Sequence, residues 1–155
     1  MKHLKKILVI LAFLLLIGCA RDNEAESTTE KEEVSMSKDE LRLRIDDRMI
    51  EVEWLENESV EALRGLAREG TIEIAMSMYG GFEQVGNIGT ALPRNDEQTV
   101  TECGDIVLYS GNQIVIFYGS NSWSYTRLGR ILNMSKDELE TLFGDHDVRI
   151  ELSLE

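Results

Sequence analysis

The chain has 155 residues, room for one domain, and carries 16 basic against 29 acidic side chains, a formal charge of −13. That balance excludes the basic footprint a nucleic-acid binder needs and opposes docking on anionic lipid. With two histidines and two cysteines in the whole sequence, a tetrahedral metal set is not expected, and no cofactor is implied.

Residues 1–18 have the form of an export signal. Lys2, Lys5 and Lys6 give a positive start, and Ile7 to Ile17 is an apolar run too short for a stable membrane span. Leu16-Ile17-Gly18-Cys19 resembles the bacterial lipobox, which implies a diacylglyceryl thioether on Cys19 and a lipoprotein facing away from the cytoplasm, at the cell surface or in the periplasm. Loss of the leader's three lysines takes the formal charge to about −16. Cys103 is then the one remaining thiol, so no disulfide is available within the chain and the core alone must hold the domain. Residues 19–39 are rich in Glu, Ser and Thr and read as a flexible acidic tether with a reach of roughly 20–25 Å.

The domain is expected over 40–155. Leu41, Leu43 and Ile45 alternate with arginines as a first strand, Asp46-Asp47 turns, and Met49 to Trp54 returns as a second. Ser59 is expected to cap a helix over Val60 to Glu69, with Val60, Leu63, Leu66 and Ala67 inward and Gly70 as a left-handed terminator. Thr71 to Met78 reads as a third strand. From the paired glycines Gly80-Gly81 to about Thr99 the sequence reads as irregular, long for a connection. Ile106–Tyr109 and Ile114–Tyr118 are apolar on both faces and joined by a two-residue loop, Gly111-Asn112. Ser135 and Glu138 form a capping box for a short helix ending at Phe143, and Val148 to Leu154 alternate as a last strand. Seven or eight short strands with two short helices suggest a mainly β closed barrel or sandwich.

Tyr79-Gly80-Gly81-Phe82-Glu83, Asn87-Ile88-Gly89, Leu92-Pro93, Gly104-Asp105-Ile106-Val107-Leu108-Tyr109, Asn112 to Tyr118 and Tyr125-Thr126-Arg127-Leu128-Gly129-Arg130-Ile131 resemble a bacterial cyclophilin-like domain family. The resemblance covers residues 40–155 and implies a closed barrel of about eight strands capped by two short helices. It does not bring an activity with it. True cyclophilins are prolyl isomerases whose site resembles a Phe-His-Arg strand and a Gln-Gly-Gly-Asp turn, and neither occurs here.

No residue is singled out as catalytic. Ser120, Ser122 and Ser124 have no histidine near them in sequence, and Asp145-His146-Asp147 reads as a solvated turn rather than a metal site. The candidate function is a groove for a peptide or small polar ligand. Ser120, Asn121, Trp123 and Tyr125 interleave hydrogen-bonding and aromatic groups, Arg127 offers a planar fork, and Tyr79, Phe82 and Glu83 face them from the glycine turn. Arg127 could instead pair with Glu83 or Asp105 to lock the barrel. The expected protein is a monomeric, membrane-anchored, noncatalytic binding module; the alternative is a weak prolyl isomerase acting on exported proteins.

Overall fold

The computed structural model describes residues 39–144 and 146–155. The leader, Cys19 and the tether up to residue 38 lie outside the described residues, as does Asp145.

The first strand, β1 (Leu41–Ile45), buries Leu41, Leu43 and Ile45 and runs antiparallel to the last, β10 (Val148–Leu154). Asp46, at φ 49°, reverses the chain, and its carboxylate accepts the Arg149 N–H at 3.0 Å. The return is not the single strand expected over Met49 to Trp54. It is two three-residue strands, β2 (Arg48–Ile50) and β3 (Val52–Trp54), interrupted at Glu51. The break has a geometric reason: β2 pairs with β1 while β3 pairs with β9 (Ser122–Ile131). The hydrogen-bonded order is β2, β1, β10, β4 (Ile72–Tyr79), β5 (Glu83–Asn87), β8 (Gln113–Phe117), β7 (Asp105–Tyr109), β9, β3, so its two ends are consecutive pieces of one run. That kinked run nearly closes the barrel.

Helix α1 (Glu58–Glu69) buries Val60, Leu63 and Ala67, with Leu66 half-buried, as its stripe predicts. Its cap is Asn57, not Ser59. Asn57 sits in extended backbone and accepts the Val60 N–H at 3.0 Å, while its amide donates to the Arg127 carbonyl at 2.9 Å. Ser59 is buried and donates to the Pro93 carbonyl, so its hydroxyl ties the helix to the loop instead. Gly70 ends the helix at φ 154°, ψ 170°, a glycine conformation but not the left-handed helical one expected.

Strand β4 (Ile72–Tyr79) buries Ile74 and Met76 and pairs with β10 and with β5 (Glu83–Asn87). Both β5 and β6 (Glu97–Val100) fall in the stretch expected to be irregular. In β5 the misleading residue is Gly86. A Cβ there would lie 2.3 Å from Met76 Sδ and 2.5 Å from Ile74 Cγ2, so glycine is required by the core and marks no loop. β6 has no apolar alternation and exists through its ladder with the first half of β9.

The hairpin β7 (Asp105–Tyr109) and β8 (Gln113–Phe117) is buried on both faces, as expected. Its loop has three residues, Ser110 to Asn112, because Tyr109 pairs with Gln113; Ser110 and Gly111 take φ 52° and 81°. Ile106, Leu108, Ile114 and Ile116 join the interior cluster with the two helices, while Val107, Val115, Phe117 and Tyr125 form a second cluster on the opposite face. Helix α2 (Lys136–Phe143) carries the predicted Ser135–Glu138 capping box and seats Phe143 fully inside. The protein is thus mainly β, a nearly closed antiparallel barrel with two helices. Among the described residues no helix is long and apolar enough to cross a membrane.

Candidate functional site

The candidate site is built on the outer cluster, and the glycine turn sets its edge. Gly80 and Gly81 take φ 64° and 74°, which returns the chain tightly enough for Tyr79 to pair with Glu83. The Phe82 carbonyl accepts the N–H groups of both Tyr118 and Gly119 at 2.9 Å, fixing the turn to the end of β8. Glu83 therefore lies opposite Phe117 in the β5–β8 ladder.

A cleft of about 350 Å³ opens here. Val85, Val115 and Gln113 lie along its base, and Tyr109 and Tyr125 wall it from β7 and β9. Tyr79, Trp123 and Asn121 stand at its edge, with Tyr79 and Trp123 67% and 57% exposed. The aromatic wall is preorganised. Tyr125 meets Tyr109 and Phe117 edge-on, at ring separations of 6.0 and 5.7 Å. Its hydroxyl accepts from the Asn121 amide at 3.0 Å, and Asn121 is itself held by three backbone and hydroxyl bonds to buried Thr101.

Glu83 is the chemically unusual member. Its residue is 7% exposed, it lines the cleft, and Oε2 has no hydrogen-bond partner in the protein. Burial pushes its carboxyl from the ordinary 4.5 up to about 7. The tyrosine hydroxyls of Tyr118 and Tyr125 are raised too, by burial first and by the Glu83 charge second. Because the folded value of Glu83 exceeds the unfolded one, its contribution to stability is complete below about 4.5 and is lost as pH rises through about 7. Full ionisation costs on the order of 3 kcal/mol. Glu83→Gln removes that pH dependence.

Of the residues expected to form a groove, Tyr79, Glu83, Asn121, Trp123 and Tyr125 line this one cleft. Phe82 packs beneath it against the outer cluster, and Ser120 is exposed outside it. Arg127 lies apart. It pairs with Val107 across β7 and reaches to buried Asp105, Nη2 to Oδ1 3.1 Å, an oxygen also 3.7 Å from Arg130. It lines a separate hollow of about 620 Å³ with Asn57, Arg94 and Thr126; Tyr125 lines both hollows and stands between them. Tyr109, Gln113, Val85 and Val115 complete the lining, beyond the residues that the sequence pattern singles out. The hairpin register carries the signal, since alternate residues from Val107 to Val115 must share one face.

Chemically the cleft offers a carboxylate, the two side-chain amides of Gln113 and Asn121, and aromatic faces. No arginine, lysine or histidine lines it among the described residues. His146 is on another surface with Arg48 and Asp137, and its carbonyl accepts from buried Gln84 at 2.9 Å. No group of three metal-ligating side chains gathers among the described residues. Cys103 is half-buried with its thiol raised by burial, an environment that keeps it protonated.

Comparison with known proteins agrees with this architecture. The model of the Cyclophilin-like family matches residues 43–152. Among solved structures, a hypothetical protein from Archaeoglobus fulgidus is similar at a TM-score of 0.54 and 19% identity, over 74% of this chain and 93% of that one. McbB, solved in complex with tryptophan, is similar at 0.56 and 11% identity over 75% of this chain; the match spans 45% of McbB. At such identities these two likenesses concern the fold alone. No curated protein matches the sequence. The family match covers most of the barrel, from β1 to β10, and the chain belongs to the Cyclophilin-like family.

Proposed function

We propose that this protein is a noncatalytic binding module that takes a peptide side chain or a small polar ligand in the Glu83 cleft. One observation carries the reading: Glu83, a buried carboxylate with an unpartnered oxygen, lines an aromatic-walled hollow. A buried acceptor without a partner costs roughly 1–3 kcal/mol, which a ligand donor recovers on binding. Exposed Tyr79 and Trp123 add flat, rigid contact area at little cost in conformational freedom.

The isomerase alternative has less support. Weakening the prolyl amide calls for a cation at the amide nitrogen, and Arg127 is engaged by Asp105 outside the cleft. The lipobox-like Leu16-Ile17-Gly18-Cys19 favours attachment to a bacterial membrane, with the acidic stretch after it holding the domain off the surface.

The test uses the full chain in detergent micelles, with the methyl groups of Val85 and Val115 as NMR reporters. A mixed library of polar fragments and short peptides is expected to shift both, and Trp123→Ala to weaken the response about tenfold or more. Exposed Trp123 contributes little to the core, so the variant keeps its Tm. Indifference of both valines to every fragment and peptide contradicts the proposal. Fatty-acid labelling that survives Cys19→Ser contradicts the anchor.

A further inference from the structure

We infer that the ligand group this cleft selects is an ammonium ion, a primary amine carried on an aliphatic stem. The inference deepens the binding-module reading and rests on it. Three features of the cleft converge. Glu83 is more than nine-tenths buried, and its Oε2 has no hydrogen-bond partner in the protein. Tyr79, Tyr109, Trp123 and Tyr125 present four aromatic side chains to the same hollow, whose ring faces attract cations at roughly 0.5–2 kcal/mol each. Val85 and Val115 provide apolar surface against which a methylene stem packs.

What is missing from the cleft is as informative as what lines it. The groups facing Glu83 are the tyrosines of β4, β7 and β9 and, after β8, Tyr118; the lining residues include no arginine, lysine or histidine among those described. The carboxylate is therefore left without the cation that a buried acid ordinarily requires. An N–H-bearing cation offsets the Glu83 charge and meets the aromatic faces. An anion meets the Glu83 charge with nothing to offset it, and a neutral group leaves the carboxylate uncompensated. The formal charge of −13 also favours the approach of cations.

Binding requires the carboxylate form. Because burial raises the Glu83 carboxyl to about 7, ammonium affinity falls about tenfold per pH unit well below that value and levels off above it, until the amine itself loses its proton. Glu83 releases its proton to solvent as the ammonium enters, so no other group need titrate.

The same amine can arrive as a free metabolite or as a lysine side chain, and separate arms distinguish them. The full chain in micelles is titrated at pH 8 with n-butylammonium, with 1-butanol as the neutral counterpart, with a free aliphatic diamine, and with a short peptide bearing one lysine. Val85 and Val115 methyl shifts report occupancy. The expected result is that n-butylammonium binds at least about tenfold more tightly than 1-butanol. Glu83→Gln is expected to abolish that difference while keeping the fold. A stronger response to the diamine assigns a free amine, and a stronger response to the peptide assigns a lysine side chain; either supports the inference. Equal affinities for n-butylammonium and 1-butanol overturn it, as does a Glu83→Gln variant that still prefers the amine. If neutral fragments bind and amines do not, this inference fails while the binding module stands; if nothing binds, both fall.

Discussion

Gly129→Ala lowers the stability of the domain by about 3 kcal/mol and its Tm by roughly 10 °C or more. Gly129 lies in β9 between Ile106 of β7 and Trp54 of β3. A Cβ at this position would stand 2.6 Å from the Glu53 carbonyl oxygen and 3.2 Å from Trp54 Cα. Both obstacles are backbone, so no rotamer change relieves them. The strand that must retreat is β3, whose pairing with β9 closes the barrel, and its retreat also disturbs the Trp54 indole bond to the Leu41 carbonyl at 2.7 Å. Gly65→Ala is the matched control with opposite sign. It sits in α1 with nothing within 4 Å of an added Cβ, and the gain in helix propensity is about 0.5–1 kcal/mol. Thermal unfolding of the two variants reads both numbers, and equal effects contradict closure of the barrel through the β3–β9 pairing.

Phe117→Ala costs about 3–5 kcal/mol and takes the cleft with it. Phe117 is fully buried in the outer cluster, pairs with Glu83, and supports the Tyr125 ring edge-on at 5.7 Å. Its loss leaves a cavity directly under the wall that Tyr125 provides. The expected signature is joint: a lower unfolding free energy in denaturant and displaced Val85 and Val115 methyl resonances in the folded state. Phe143→Ala, at the interior end of α2, is comparably destabilising but leaves those two resonances in place. A Phe117→Ala protein with undisturbed valine signals separates the cleft from the outer cluster and contradicts a site resting on that cluster.

These two positions also show what a sequence exposes and what it hides. The β7–β8 hairpin was legible because its apolar runs are uninterrupted and its turn carries glycine. The α2 cap was legible because Ser135 and Glu138 act across three residues, a purely local device. The β5 strand was hidden because Gly86 answers to Ile74 and Met76, ten or more residues away in sequence. Asn57 rather than Ser59 caps α1 because Pro93 claims the serine hydroxyl, a partner 34 residues distant.

The site divides the same way. Tyr79, Glu83, Asn121, Trp123 and Tyr125 could be grouped from two separate runs of polar and aromatic residues, one across the turn from β4 to β5 and one leading into β9. Arg127 could not be separated from them by spacing, since it is two residues from Tyr125 on one strand. Its departure follows from Asp105, which is 1% exposed and draws the guanidinium toward the opposite end of β7. Nor does sequence show that Glu83 lacks a partner, because that depends on every side chain brought around it by the barrel.

The state of Glu83 is therefore the most direct test. Carboxyl-carbon NMR of the full chain, with Glu83 assigned by loss of its signal in Glu83→Gln, follows the side chain from pH 4 to pH 9. A buried and unpartnered carboxyl is expected to titrate near 7, and the pH-dependent loss of stability across that range is expected to disappear in the variant. Titration at the ordinary 4.5, with no difference between the two proteins in the slope of stability against pH, would mean that Glu83 is solvated and that the cleft offers no free buried acceptor.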